Sequence, residues 1–256
     1  MSLMIESVQA RLRTEFLGRP IVYLARAPST QDIAREEAQR GAPEGLAVLA
    51  EEQTAGRGRL GRSWESPAGT NLYVTLVLRP QVEALRSLSI VTPLAVAQAV
   101  EETTGLAARI KWPNDVLIAG RKLAGILIET EIAGQSVKYA LVGIGLNVNL
   151  DVERIPEIAE IATSLKRETG REVAREEVLA ALLNHFEALY LEARRGRPPL
   201  EGWKSRLETL GQRVRVTSAG SVEEGVAEDV DAEGSLLLRR DDGTRVTIPA
   251  GEVTLR

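Results

Sequence analysis

Four strand-like runs follow one another in the middle of the chain, and this region constrains the fold more than any other. The runs are rich in β-branched and other aliphatic residues, which favour strands. They cover residues 109–112, 116–118, 123–130 and 139–148. We place a hairpin turn at Gly120 and Arg121, between the second and third runs. The centre of the chain is therefore predicted to be dominated by β-structure.

Helices and further strands are predicted on both sides of this region. Ser29 and Thr30 precede a helix-like segment that stops at Gly41, and these are typical start and stop signals. The other predicted helices cover residues 3–17, 87–104, 174–194 and 200–210. Earlier strands are predicted at residues 21–24, 46–50 and 71–78.

The last 45 or so residues change character, because short alternating runs replace the helices. Turn sequences at residues 231–234 and 241–243 separate them. The runs cover residues 213–218, 223–230, 235–239, 245–248 and 253–255. Five short strands of this kind fit a small barrel of the SH3 type. We therefore predict a domain boundary near residue 211.

Composition narrows the function classes. The chain has 32 basic and 36 acidic side chains and a net charge of −4, which argues against a general nucleic-acid binder. The absence of cysteine excludes disulfides, thiolate metal sites and cysteine nucleophiles, and it permits a cytosolic address. No apolar run approaches the roughly 20 residues that cross a bilayer, and the N-terminal segment is too charged for a signal peptide. We expect a cytoplasmic protein without a membrane partner.

The most unusual stretch is the loop that runs from Gly56 to Trp64. Its arginines, Arg57, Arg59 and Arg62, alternate with glycines that let the backbone approach a ligand closely. Such a loop suits a phosphate or carboxylate, and we expect it to order over that anion and exclude water. An ordinary surface loop or an RNA-contacting segment has about equal weight from the residues alone. The chain has no G-x-x-x-x-G-K-[ST] sequence, so a nucleotide would bind without a P-loop.

Three other clusters are candidates, and each has a structural explanation when taken alone. The stretch from Lys111 to Asp115 could hold a ligand or magnesium at the mouth of a sheet, or form an ordinary turn. Lys122 leads an apolar strand as either an edge lysine or a catalyst. Gly143 and Gly145 interrupt another apolar strand and predict close approach of a ligand or a neighbouring backbone.

Together and in this order, these segments resemble the biotin protein ligase family. The matching stretches are Ser29 to Gln31, Glu52 to Arg59, Lys111 to Asp115, Arg121 to Leu127, Gly143 to Asn147 and the tail from Gly251 to Arg256. The resemblance implies an α+β fold, in which helices flank a mixed β-sheet as in class II aminoacyl-tRNA synthetases and a small SH3-like barrel follows. It implies a catalytic biotin- and ATP-binding domain at residues 1–210 and the barrel at residues 211–256.

The resemblance also implies roles for individual residues. The residues that would meet biotin at a helix start are Ser29, Thr30 and Gln31, with Gln53 beside them. Arg57, Gly58 and Arg59 would close over the biotin carboxylate and the adenylate phosphate. Lys122 would lie between that carboxylate and the α-phosphate, so the implied catalytic residues are Lys122, Arg57 and Arg59. Leu60 stands where some members have a basic residue, which leaves the loop one charge short.

The remaining implied binding residues lie towards the nucleotide or in the pocket wall. Asn114, Asp115 and Asn147 would lie towards ATP and its Mg²⁺, although no metal ligand is assigned. The implied pocket also contains Trp112, Gly125 and Gly145.

The implied activity is ATP-dependent formation of biotinyl-5′-AMP, followed by biotin transfer to a lysine of a biotin carboxyl carrier protein. Lipoate or octanoate transfer stays open, because lipoyl ligases share this architecture. A nucleic-acid-binding module is the alternative from another class. About twenty residues precede the first predicted strand, too few for the helix-turn-helix domain of bifunctional members, so we expect no sequence-specific DNA binding. Family members commonly pair through the sheet edge, and a homodimer stays open.

Overall fold

The computed structural model describes residues 2–218 and 220–255. Its larger sheet has seven strands: β1 (Ile21–Leu24), β2 (Ala47–Ala50), β3 (Leu72–Leu78), β4 (Arg109–Lys111), β5 (Asp115–Ile118), β6 (Arg121–Ala133) and β7 (Ser136–Leu146). Their order across the sheet is β1-β2-β3-β7-β6-β5-β4. The first two strands run parallel and every other neighbouring pair is antiparallel. The mixed sheet predicted from the family resemblance is confirmed.

Helices cover both faces of this sheet. They are α1 (Ile5–Gln9), α2 (Thr30–Gln39), α3 (Val82–Arg86), α4 (Leu88–Thr104), α5 (Leu165–Thr169), α6 (Arg175–Arg194) and α7 (Leu200–Lys204). On one face, Val74 and Leu76 of β3 pack with α4 and α6, and on the other Val77 packs with α2. Because both faces are covered, β3 is buried along its full length. Within the described residues, no helix is long and apolar enough to cross a membrane.

The C-terminal sheet has five antiparallel strands: β8 (Arg213–Ser218), β9 (Ser221–Val230), β10 (Leu236–Arg239), β11 (Arg245–Ile248) and β12 (Glu252–Leu255). Their order is β11-β10-β9-β8-β12, as expected for a small SH3-like barrel. The inward residues of these strands share a second apolar core with Ile90, Leu94, Trp112 and Trp203 of the preceding region. One core therefore joins the barrel to the larger sheet.

Two predicted helices are shorter in the structure. The helix predicted at residues 3–17 ends at Gln9, because the backbone amides of residues 15–17 donate to the buried carboxylate of Glu187 instead of to a helix. The helix predicted at residues 200–210 ends at Lys204, because residues 206–208 pair with Ile110 at the edge of β4. In both places a distant part of the chain captures the backbone hydrogen bonds.

Three smaller differences concern turns and short elements. The turn before β6 is formed by Ala119 and Gly120, both with positive φ, and Arg121 already belongs to the strand. The hairpin of β6 and β7 extends further towards its own turn than predicted. The short helices α3 and α5 were not predicted.

Candidate active site

A single cavity of about 740 Å³ brings together every site residue that the family resemblance implies. This volume lies within the roughly 300–1,000 Å³ that is typical of small-molecule sites. The residues brought together are Ser29, Thr30, Gln31, Gln53, Arg57, Gly58, Arg59, Trp112, Asn114, Asp115, Lys122, Gly125, Gly145 and Asn147. Segments almost 120 residues apart in the sequence therefore form one site.

One end of the cavity is uncharged and rich in hydrogen-bonding groups. The hydroxyl of Ser29 caps α2, and the amide and hydroxyl of Thr30 donate to Gln53 Oε1 at 2.9 and 3.2 Å. Gln53 Nε2 in turn donates to Ser66 Oγ at 2.9 Å. Gln31 Nε2 donates to the Leu127 carbonyl, whereas Gln31 Oε1 is buried without a partner among the described residues. This end is held rigidly and retains a free acceptor.

The middle of the cavity contains the indole of Trp64. Side chains at Gly145 or Gly125 would clash with this ring, since an added Cβ would lie 2.5 or 2.9 Å from it. The indole Nε1 is buried and has no hydrogen-bond acceptor in the described part of the chain. The sequence indicated close approach at Gly143 and Gly145, but the neighbours are the side chains of Gln31 and Trp64. Trp64 was not predicted as a site residue, although an aromatic residue at the end of the Arg/Gly loop was the available signal.

The other end of the cavity carries charged side chains and centres on Lys122. The β5–β6 hairpin brings Lys122 Nζ to 2.7 Å from Asp115 Oδ1, and the ammonium lies 5.5 Å from the centre of the Trp64 ring. Both side chains are partly exposed to the cavity. Because an ammonium has three donors, Lys122 can keep its ion pair with Asp115 and still donate to an anionic ligand. The edge-lysine explanation does not account for this inward position.

The Arg/Gly loop, residues 56–64, folds back on itself over the cavity. The Gly58 amide donates to the Arg62 carbonyl at 2.7 Å, and the Trp64 amide donates to the Gly56 carbonyl at 2.9 Å. Arg59 reaches across the cavity, donating to Asn114 Oδ1 at 2.7 Å and to the Gly251 carbonyl at 3.1 Å. Burial lowers the pKa of Arg59 from its usual range, and Asp115 and Glu252 oppose this shift. The loop thus carries a partly desolvated cation into the site.

The other two arginines of the loop are also paired within the protein. Arg57 lies 2.7 Å from Asp32, and Arg62 lies 2.5 Å from Glu252 in β12. From sequence, mutual repulsion of the arginines predicted a loop that orders over an anion. The structure provides carboxylate partners that relieve this repulsion before any ligand binds.

The residues near Asp115 limit how magnesium would bind. The amide of Asn114 is committed to Arg59 and the Ile126 carbonyl, and the buried amide of Asn147 is committed to Asn71 and Thr163. Across residues 2–218 and 220–255, no group of three His, Cys, Asp or Glu side chains could hold a metal ion. Of the three residues that the family resemblance places towards ATP, Asp115 is the one that carries a carboxylate. The site therefore fits a magnesium ion that arrives on nucleotide phosphates, and it does not fit a cage built by the protein.

Comparison with known protein families identifies the family of this chain, and it is the one that the sequence motifs resemble. Residues 23–147 match the biotin/lipoate A/B protein ligase family, and residues 209–256 match the biotin protein ligase C terminal domain. The chain therefore belongs to the biotin/lipoate A/B protein ligase family.

Individual relatives narrow this class. The chain is 42% identical to the biotin–[acetyl-CoA-carboxylase] ligase of Paracoccus denitrificans, over 90% of this chain and 98% of the relative. It is 37% identical to the bifunctional ligase/repressor BirA of Bacillus subtilis, over 91% of this chain and 74% of the relative. Among solved structures, the biotin protein ligase from Aquifex aeolicus in complex with biotin and ATP has a TM-score of 0.78 at 30% identity, covering 93% of this chain and 99% of that one.

Proposed function

We propose that this chain is an ATP-dependent biotin protein ligase. It forms biotinyl-5′-AMP from biotin and ATP and then transfers biotin to a specific lysine of a biotin carboxyl carrier protein. The observation that carries the proposal is the change of side chains along one cavity, from the uncharged end at Ser29 and Gln31 to the end where Lys122 and Arg59 supply positive charge. Biotin has the matching polarity, with a neutral ureido ring at one end and a carboxylate at the other.

The uncharged end favours biotin over lipoate or octanoate. A ureido group offers N–H donors and a carbonyl acceptor, which can pair with the free Gln31 Oε1 and with the hydroxyl of Ser29. A dithiolane or alkyl chain offers neither and would leave Gln31 Oε1 buried and unpaired. Sites built to hydrogen-bond a ligand reject analogues that lack the polar group, because unpaired buried groups are costly.

In the first half-reaction, a biotin carboxylate oxygen attacks the α-phosphorus of ATP and pyrophosphate leaves. The reaction brings two anions together, so fixed positive charge lowers its barrier most. We assign this charge to Lys122, Arg57 and Arg59. Asp115 would be the protein carboxylate that holds a magnesium ion, and the ion would supply further charge neutralisation.

In the second half-reaction, the deprotonated amine of the carrier lysine attacks the biotinyl carbonyl and AMP leaves. The mixed anhydride is already activated, so the enzyme contributes mainly by positioning. Until the carrier arrives, the Arg/Gly loop keeps water from the adenylate, and Arg59 holds the loop down through Asn114 and Gly251. A cytoplasmic address, a homodimer and the absence of sequence-specific DNA binding stay predictions.

The test is calorimetric titration of the purified chain with biotin, with and without magnesium and ATP, followed by mass analysis for biotinyl-AMP. We expect biotin binding, biotin-dependent pyrophosphate release and a biotinyl-AMP mass, and we expect lipoic acid and octanoate to give none of these. Failure to release pyrophosphate with biotin, ATP and magnesium together would refute the proposal. Adenylation of lipoate in preference to biotin would assign the chain to the other branch of the family.

A further inference from the structure

One wall of the cavity is attached directly to the main chain of Lys122. This wall, residues 157–162, includes Ile158 and Ile161 among the cavity-lining side chains. The Lys122 amide donates to the Ile161 carbonyl, and the Thr163 amide donates to the Lys122 carbonyl, both at 2.8 Å. The wall therefore continues the sheet beside β6, at the residue that carries the ammonium.

Side chains outside the cavity reinforce this attachment. Arg121 Nη2 donates to Glu168 Oε1 of α5 at 2.7 Å, and the Thr163 hydroxyl donates to the same oxygen. Burial raises the pKa of Glu168, but hydrogen bonds from Thr163 and Arg121 outweigh this effect and lower it overall. Glu168 is therefore an anion at neutral pH, and the two donors converge on one well-shielded carboxylate.

We propose that Arg121, Glu168 and Thr163 form a clamp that fixes the wall relative to Lys122. The three are positioning residues, because none of them lines the cavity. They act through the chain on both sides: Arg121 precedes Lys122, and Thr163 follows the wall. This inference rests on the proposed function, since it concerns the cavity wall beside the ATP that we place at Lys122.

The clamp acts at the nucleotide end of the cavity. Gln31, at the uncharged end, bonds the Leu127 carbonyl, which lies five residues along β6 from Lys122. At about 3.3 Å per residue, this separation is roughly 16 Å. Loosening the wall should therefore disturb ATP, which we place beside Lys122 and Asp115, more than the ureido ring of biotin.

The experiment compares R121Q, E168Q and the double variant. We expect each single variant to raise the KM for ATP about five- to tenfold and the KM for biotin less than twofold. The double variant should resemble the singles, because either change removes the same contact. Hydrogen exchange at the amides of Lys122 and Thr163 should accelerate about tenfold, while the amides of β3 keep their protection. T163V removes only the hydrogen bond from the Thr163 hydroxyl to Glu168, so it should show the same changes to a smaller extent. It is the variant to measure if R121Q and E168Q do not fold.

The matched control is K166Q on the same helix, which breaks the exposed ion pair of Lys166 with Glu172 beyond the helix end and should change nothing. Equal rises in both KM values, or unchanged KM values with unchanged exchange at Lys122, would overturn the clamp. The exchange measurement needs no substrate. A chain that releases no pyrophosphate would refute the proposed function, and its exchange rates would still decide whether the three residues hold the wall.

Discussion

At the scale of single residues, the most informative group is the ammonium of Lys122, which is paired with Asp115 and faces the Trp64 ring before any substrate binds. We predict that Lys122→Gln slows adenylate formation about 10²- to 10³-fold, because it removes fixed charge where negative charge develops. Its effect on ATP affinity should be much smaller. Single-turnover pyrophosphate release measures the first effect and calorimetry the second. An unchanged single-turnover rate would remove Lys122 from the catalytic residues.

The guanidinium of Arg59 is expected to retain the adenylate. Arg59→Gly removes the bonds to Asn114 and to the Gly251 carbonyl, so the loop loses its attachment across the cavity. We predict release of biotinyl-AMP into solution and labelling of lysines on unrelated proteins. Mass analysis of an ultrafiltrate measures the release. Arg40→Gly, at an exposed arginine after α2, should behave as the wild type. An ultrafiltrate without biotinyl-AMP would contradict the retaining role.

The site residues predicted from the sequence all line the cavity, but the contacts that hold them in place were not predicted. Each motif alone was weak evidence for a ligand site. Only the whole set, in its order along the chain, predicted one shared site. Trp64 was missed, because its role depends on the space left by Gly125 and Gly145, which come from two other strands. The paired amide of Asn147 was also beyond prediction, since its partners Asn71 and Thr163 are fixed by the tertiary fold.

At the scale of elements, the Arg/Gly loop is held against strand β12 by the Arg62–Glu252 ion pair. We predict that Glu252→Gln releases a small amount of adenylate, less than Arg59→Gly does. The pair is largely exposed, and such pairs contribute at most about 1 kcal/mol. Leakage should be measured across ionic strengths, and the wild type should approach the variant at high salt because screening weakens the pair.

The control for this pair is Asp241→Asn, which breaks an ion pair with Arg213 that involves neither the loop nor the cavity. It should not leak adenylate. If Glu252→Gln retains the adenylate as well as the wild type at low salt, the ion pair does not hold the loop.

Local patterns predicted strands better than helix lengths. The apolar runs that became β2, β3 and β5 were recognisable, because buried strands are continuously apolar. The helices predicted at residues 3–17 and 200–210 were too long for one physical reason. Their backbone groups bond to Glu187 and to Ile110, which are remote in sequence, and a local pattern contains no information about such partners.

At the scale of the whole molecule, a buried ion pair connects distant parts of the larger domain. Glu51 and Arg175 are each 6% exposed and lie 2.9 Å apart, and Tyr23 and the Leu3 amide also donate to Glu51. Burial raises the pKa of Glu51, but these hydrogen bonds outweigh it and lower the pKa below its ordinary value of 4.5. The pair therefore stabilises the fold above pH 4.5, and this stability is lost as pH falls through the lowered pKa.

We predict that Glu51→Gln lowers the free energy of unfolding at pH 7 by about 3 kcal/mol, because it leaves the buried Arg175 without its carboxylate. The variant should also lose less stability than the wild type between pH 4.5 and pH 3. Denaturant unfolding at pH 7, 4.5 and 3 measures both effects. Glu177→Gln, in an exposed pair with Arg11, should match the wild type throughout. Parallel pH profiles for Glu51→Gln and the wild type would contradict the assignment.

Trp112 has one surface on the cavity and another in the core that the barrel shares, where its indole donates to the Gly234 carbonyl at 2.9 Å. Exchanging C-terminal segments between relatives therefore alters a supporting layer of the substrate chamber. A functional chimera would need to inherit Ile90, Leu94 and Trp203 together with the segment that packs on them. Engineers who treat the barrel as a detachable module should expect the chamber itself to change.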